Sequence, residues 1–287
     1  VEQPAANWQK SEAVNLQGRV QQQQGNTDAA IGTYQKAVAL DQYNVVALSN
    51  EGAAHREKGD LKKAEEMLQK AAAVRSDDLT ALMLKQVQEE LQQANDVKRG
   101  ELIRSQIADL SKRFQEMKQA AAGKPSDSWT TRPLVVALLP SASNASVFFE
   151  RAGTDVVLQR EIEARLQANE GISVVERQML DKLLQELNLG SSELANPDTQ
   201  RRLGQVLSAG YLGFIDFGRM GKDLMMYVRM VDTETTAITM QTSQPVNEGN
   251  PSLTVDAVAG ELVNKLAGGR EVQGLIADAS DENAVLI

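Results

Sequence analysis

His55 is the single imidazole of the 287-residue chain, and there is no cysteine. Thiolate nucleophiles, disulfides and any metal site built on two imidazoles are thereby excluded. A serine–histidine pair would have to draw on a histidine that lies in a helical repeat, far from the serines of the second half. Gly268-Gly269-Arg270 lacks the strand-before, helix-after setting of a phosphate loop, and Gly218 to Gly221 falls between two strand-like runs. The 39 aspartates and glutamates offer many carboxylate pairs, but spacing distinguishes none of them. These residues argue against catalysis and imply no cofactor. The chemistry that remains is recognition by polar side chains. A net charge of −9 repels a phosphate backbone, and 4% aromatic residues leave few stacking platforms, so nucleic acid is excluded as a partner.

The elements that would carry such recognition begin with a repeat. Aligning Ser11–Asn44 with Val45–Asp78 places Gly18 over Gly52, Gly25 over Gly59, Asn26 over Asp60, Ala30 over Ala64, Tyr34 over Leu68 and Ala37 over Ala71, a constant offset of 34 residues. Gly18 and Gly52 fall in mid-helix, where glycine costs about 1 kcal/mol against alanine, so a second helix must pass too close for a side chain. Ala30 and Ala64 are the expected small residues on that second helix. Gly25 and Gly59 are expected to end the first helix in the left-handed conformation, with Asn26 or Asp60 starting the next. His55 is expected as a packed, structural residue. Leu79–Ala122 continues in helical composition but has Gln86 and Gln93 where the glycines stood, so it reads as a worn third repeat of two helices broken near Asn95-Asp96. A coiled-coil helix is the alternative for its second half.

This period and these positions resemble the tetratricopeptide repeat family. The resemblance implies a concave groove, lined by the first helix of each repeat, that takes an extended peptide or a helix. Carried over by position, the groove residues are Glu12, Asn15, Arg19, Gln22 and Gln23, then Val46, Ser49, Asn50, Ala53, Arg56 and Glu57; the core of the expected partner site is Asn15, Arg19, Gln22, Ser49, Asn50, Ala53 and Arg56. Of the family's carboxylate clamp only Asn50 is in place, since Asn15 and Arg19 stand where lysine and asparagine belong, so recognition of a free chain terminus is not expected. A plain solvated face is the competing reading.

Ala120–Pro133 loses the helical period and collects Gly, Pro, Ser and Thr. Strand and helix patterns alternate beyond it. Leu134–Leu139 is an apolar run fit for a strand buried on both faces. Helices are expected over 151–169, 178–187, 197–207 and 253–266, and strands over 172–176, 211–217, 224–231 and 237–242. Two more strands are expected over 271–277 and 284–287. The phrase Val174-Val175-Glu176-Arg177-Gln178-Met179-Leu180-Asp181-Lys182-Leu183-Leu184-Gln185-Glu186, with Ala209-Gly210-Tyr211-Leu212 and Val228-Arg229-Met230-Val231-Asp232-Thr233-Glu234-Thr235, resembles the CsgG-like family typified by the curli secretion channel lipoprotein. That family usually has glycine where Thr236 stands. The hairpin over 224–242 would belong to the core sheet and carries Arg229, which disfavours membrane insertion of pore strands.

The expected architecture is therefore α plus α/β: a repeat domain over 8–122, a linker over 123–133, a CsgG-like mixed-sheet domain over 134–268, and over 269–287 the start of a small, truncated β element. The resemblances imply a non-enzymatic protein-binding adaptor of the bacterial envelope, periplasmic or held at the outer membrane by a lipid anchor upstream of Val1, with a protein or peptide in the groove and possible self-association through the second domain. An oligomeric subunit of a curli-type channel or ring, and a soluble ligand-binding sensor or enzyme, are the alternatives.

Overall fold

The computed structural model of the chain describes residues 5–119, 134–139, 148–247 and 249–278. Six helices come first: α1 Ala5–Gln23, α2 Thr27–Leu40, α3 Val45–Glu57, α4 Leu61–Val74, α5 Asp78–Ala94 and α6 Val97–Gln119. Then follow β1 Leu134–Leu139, α7 Thr154–Gln167, β2 Ile172–Val174, α8 Arg177–Glu186, α9 Ser191–Leu194, α10 Pro197–Leu207, β3 Tyr211–Met220, β4 Asp223–Asp232, β5 Ile238–Pro245 and α11 Pro251–Asp278.

The repeat glycines do what their spacing demands. A methyl group built on Gly18 would lie 2.6 Å from the Tyr34 ring, and one on Gly52 would lie 2.9 Å from Leu68 Cγ and 3.3 Å from the Ala64 carbonyl. Both separations are below normal van der Waals contact, so helix pairs α1/α2 and α3/α4 close only because these positions lack a Cβ. Gly25 and Gly59 take φ of +80° and +79° and turn the chain out of the first helix of each pair. Asp60 then caps α4 by accepting the Lys63 amide, and Asn44 caps α3 by accepting that of Ala47. His55 is buried, 3.9 Å from both Glu51 and Asp60, consistent with a packed position.

The third repeat departs from this pattern. Gln86, in the glycine position, is almost fully buried and donates to the carbonyl of Val157 on α7. Its side chain fills the space a close second helix would need. α7 takes that flank of α5, and α6 packs elsewhere: Ile103, Ile107 and Phe114 join Leu180, Leu183 and Leu203 in a core under the sheet. A helix whose sequence continues the repeats thus belongs by packing to the second half.

The sheet has the order β2-β1-β3-β4-β5, with β1 parallel to both β2 and β3 and the last three strands antiparallel. Both faces are covered, which is why β1 reads as an unbroken apolar run. Leu134, Val136 and Leu138 face α7 and α11, packing with Leu158, Ile162, Val258 and Leu262; Ala137 and Leu139 face α6, α8 and α10. Arg229 lies over the Phe214 ring, 4.2 Å from its centroid.

Two expectations are corrected. The residues 271–277, expected as a strand, are the last turns of α11; Val272, Leu275 and Ile276 are three and four apart, which continues a helical stripe, and Gly268-Gly269 does not interrupt it. The companion strand over 284–287 and the linker over 123–133 lie outside the described residues. The expected helix over 151–169 begins only at Thr154, because Gly153 takes φ +81° and leaves Phe149–Ala152 as non-helical chain. That short stretch governs the site below.

Candidate functional site

The first helices of the repeats, α1, α3 and α5, all meet the chain's own segment Phe149–Thr154. All three first helices grip it. From α1, Arg19 donates to the Phe149 carbonyl. From α3, Asn50 reads the main chain on both sides of residue 151, accepting the Ala152 amide at 2.8 Å and donating to the Glu150 carbonyl at 3.5 Å. Asn15, itself buried, accepts a second hydrogen bond from Asn50 and so fixes the amide's orientation.

At the entrance to α5, Asp77 and Arg151 meet as a two-pronged ion pair, with both N–O distances 2.7 Å, and Arg151 also donates to Thr80 Oγ at 2.9 Å. Asp77 is the N-cap of α5 and accepts the Thr80 amide as well. The Arg151 hydrogen bond, aided by this amide and overcoming partial burial, holds the Asp77 carboxyl well below the ordinary carboxylate range. Beneath the segment, Ala53, Leu68, Leu79, Met83 and Val87 pack against Ala152 and Val157 in one apolar cluster.

Beside it the two halves enclose an open cleft of about 550 Å³, walled by Gln22, Arg56, Glu57 and Glu90 on one side and by Asp155, Arg160 and Arg177 on the other. Arg56 forks onto Glu90 with N–O distances of 2.8 to 3.2 Å, and Arg160 reaches the same carboxylate at 2.5 Å. Burial opposes ionisation of Glu90, but the two guanidiniums prevail and its pKa is lowered. Burial pushes up the carboxyls of Asp155 and Glu163, for which the available hydrogen bonds and charges are weaker compensation.

Five of the residues expected to form the groove site, Asn15, Arg19, Asn50, Ala53 and Arg56, are thus engaged at the seam between the two halves. Gln22 is turned within its own repeats, donating to Glu57 and accepting from the Tyr34 hydroxyl, though it also lines the cleft. Ser49 is fully buried, and its hydroxyl has no hydrogen-bond partner among the described residues. Sequence reasoning missed Asp77, Thr80, Glu90 and Arg151. Asp77 carries the ordinary signal of a helix cap, and nothing in the spacing ties it to an arginine 74 residues away. No cluster of metal-ligating side chains occurs among the described residues, and no helix among them is long and apolar enough to cross a membrane.

Comparison with known proteins agrees with both halves. The family model described as a tetratricopeptide repeat matches residues 11–44, and that described as the curli production assembly/transport component CsgG matches residues 128–214. No curated protein matches the chain. Among solved structures, the lipoprotein GNA1162 from Neisseria meningitidis is similar at 14% identity over 46% of this chain and 98% of its own, with a TM-score of 0.33. The C-terminal domain of LpoB from Salmonella enterica is similar at 16% identity over 48% and 96%, with a TM-score of 0.30. The chain joins a tetratricopeptide repeat in its N-terminal half to a CsgG-like α/β domain.

Proposed function

We propose that the protein is a non-enzymatic, protein-binding adaptor of the bacterial cell envelope, in which the repeat groove receives a segment of polypeptide and the CsgG-like domain docks to envelope assembly or transport machinery. The observation that carries this reading is the grip of α1, α3 and α5 on Phe149–Thr154. Four of its contacts go to main-chain or arginine groups that any suitable extended segment could offer. In this reading Asn15, Arg19, Gln22, Asn50, Ala53 and Arg56 form the partner surface, the fully buried Ser49 dropping out of it, and the protein works in the periplasm, held at the outer membrane by a lipid anchor. The matched family description supports the envelope setting. The full chain used as bait in solubilised envelope fractions is expected to capture a defined protein, and the Asn50→Ala chain to capture less of it. Recovery of cytosolic proteins alone would overturn the reading.

A second reading, a self-associating subunit of a ring or channel, is favoured by the place of β5 at the sheet edge, where it pairs with β4 on one side only among the described residues. Its mass in solution separates the two: a monomer by light scattering removes it.

A further inference from the structure

The occupant of the groove discloses the chemistry the groove selects. Three features of Phe149–Thr154 are used. Its carbonyls at Phe149 and Glu150 and its amide at Ala152 are read by Arg19 and Asn50, which any peptide main chain could satisfy. Its one selective side-chain contact is the Arg151 guanidinium on Asp77 and Thr80, a planar fork matched to a carboxylate and a hydroxyl. After the arginine the chain turns through Gly153, in the left-handed region and packed near the Ala53 methyl, where a side chain would be strained by the backbone. Glu150, by contrast, is exposed and offers only its carbonyl to Asn50.

We infer that Phe149–Thr154 is a tethered occupant of the groove, and that a partner segment enters by displacing it and must carry the same chemistry: an arginine followed by a small residue and glycine. This rests on the reading of the groove as a peptide seat. Groove binding and the docking of the two halves are then mutually exclusive at this point, because Asn50 and Asp77 each serve one chain at a time. A tethered segment competes at an effective concentration on the order of millimolar, so the closed protein binds a free peptide weakly. Loosening the tethered segment raises the fraction of open grooves and tightens external binding by the same factor.

The test uses the full chain and a fluorescein-labelled peptide of residues 148–155, followed by polarisation. The Arg151→Ala chain is expected to bind this peptide at least tenfold more tightly than the unaltered chain. Replacing the peptide's own arginine by alanine, or adding Asp77→Ala to the chain, abolishes that binding. Equal affinity for native and Arg151→Ala chains, absence of binding to both, or binding that survives loss of Asp77 overturns the inference. If Arg151→Ala does not fold, Arg151→Lys keeps the charge but not the fork and is expected to show a smaller gain in the same direction. The peptide assay contains no envelope partner, so failure of the adaptor reading leaves its result intact. An envelope partner that binds without competing with the peptide overturns the inference alone.

Discussion

Arg151 and Asp77, 74 residues apart, close a two-pronged ion pair at 2.7 Å in which the same carboxylate caps helix α5. One aspartate therefore serves the start of the third repeat and the seam between the two halves of the molecule. Arg151 is 7% exposed, and the Asp77 side chain about a quarter.

Replacing Arg151 by alanine leaves Asp77 its cap but removes its charge partner. Loss of one member of a buried pair costs about 3–5 kcal/mol, and the partial exposure of Asp77 lowers the expected loss to about 2–3 kcal/mol. Urea unfolding of the two chains at pH 7 measures it. Because the folded Asp77 pKa is depressed, this stabilisation is present above the unfolded value of about 3.9 and is lost as pH falls from there toward the folded value. The difference between native and variant should shrink steadily below pH 4; a difference independent of pH would contradict the pairing.

Gly52→Ala should destabilise the repeats although alanine is the better helix former. The intrinsic gain is about 1 kcal/mol, but the new methyl sits 2.9 Å from Leu68 Cγ, at the branch point rather than the flexible end of that side chain. Overpacking of this kind costs about 1–3 kcal/mol. In a double-mutant cycle with Leu68→Ala, the penalty of the glycine substitution should shrink, since the side chain it strikes is gone and only the 3.3 Å approach to the Ala64 carbonyl remains.

Thr236 holds φ of +58° in the turn between β4 and β5, a conformation that is costly for a β-branched residue. Thr236→Gly is expected to raise stability by up to about 1 kcal/mol, the relief of backbone strain being offset in part by the greater freedom of glycine in the unfolded chain. A thermal midpoint that falls instead would show that the threonine's contacts outweigh its strain.

The lone imidazole reports on the repeat interior. Burial lowers the His55 pKa, with Asp60 pulling weakly the other way, so the native state favours the neutral ring. A depressed histidine contributes stability above its unfolded pKa of about 6.5 that is lost as pH falls through that value. The ring's proton resonance, unique in this chain, should titrate with a midpoint below 6.5. His55→Phe should flatten the slope of stability between pH 7 and 5.

Local residues were enough to determine the helical hairpins and most of the sheet. Gly18, Gly52, Gly25 and Gly59 repeat at a fixed interval because each answers a short-range demand, a close helix crossing or a left-handed cap, and such demands are written within 34 residues. β1 and α10 have the ends their sequences suggest, since an apolar run between breakers and a proline at a helix start are local signals. The run 271–277 misled because a short apolar segment satisfies both periods, and its continuity with α11 decided for helix. Only tertiary structure decided where α6 packs and what meets the first helices of the repeats. Gln86 differs from glycine by one side chain, but its reach to Val157 brings α7 against α5, while α6 packs under the sheet. The pairing of Asp77 with Arg151 and of Asn50 with the Ala152 amide joins residues whose own neighbourhoods give no sign of one another. A helix cap and a polar groove face look the same in sequence whether they meet water, a partner or a distant part of their own chain; which of these they meet depends on how the two halves dock.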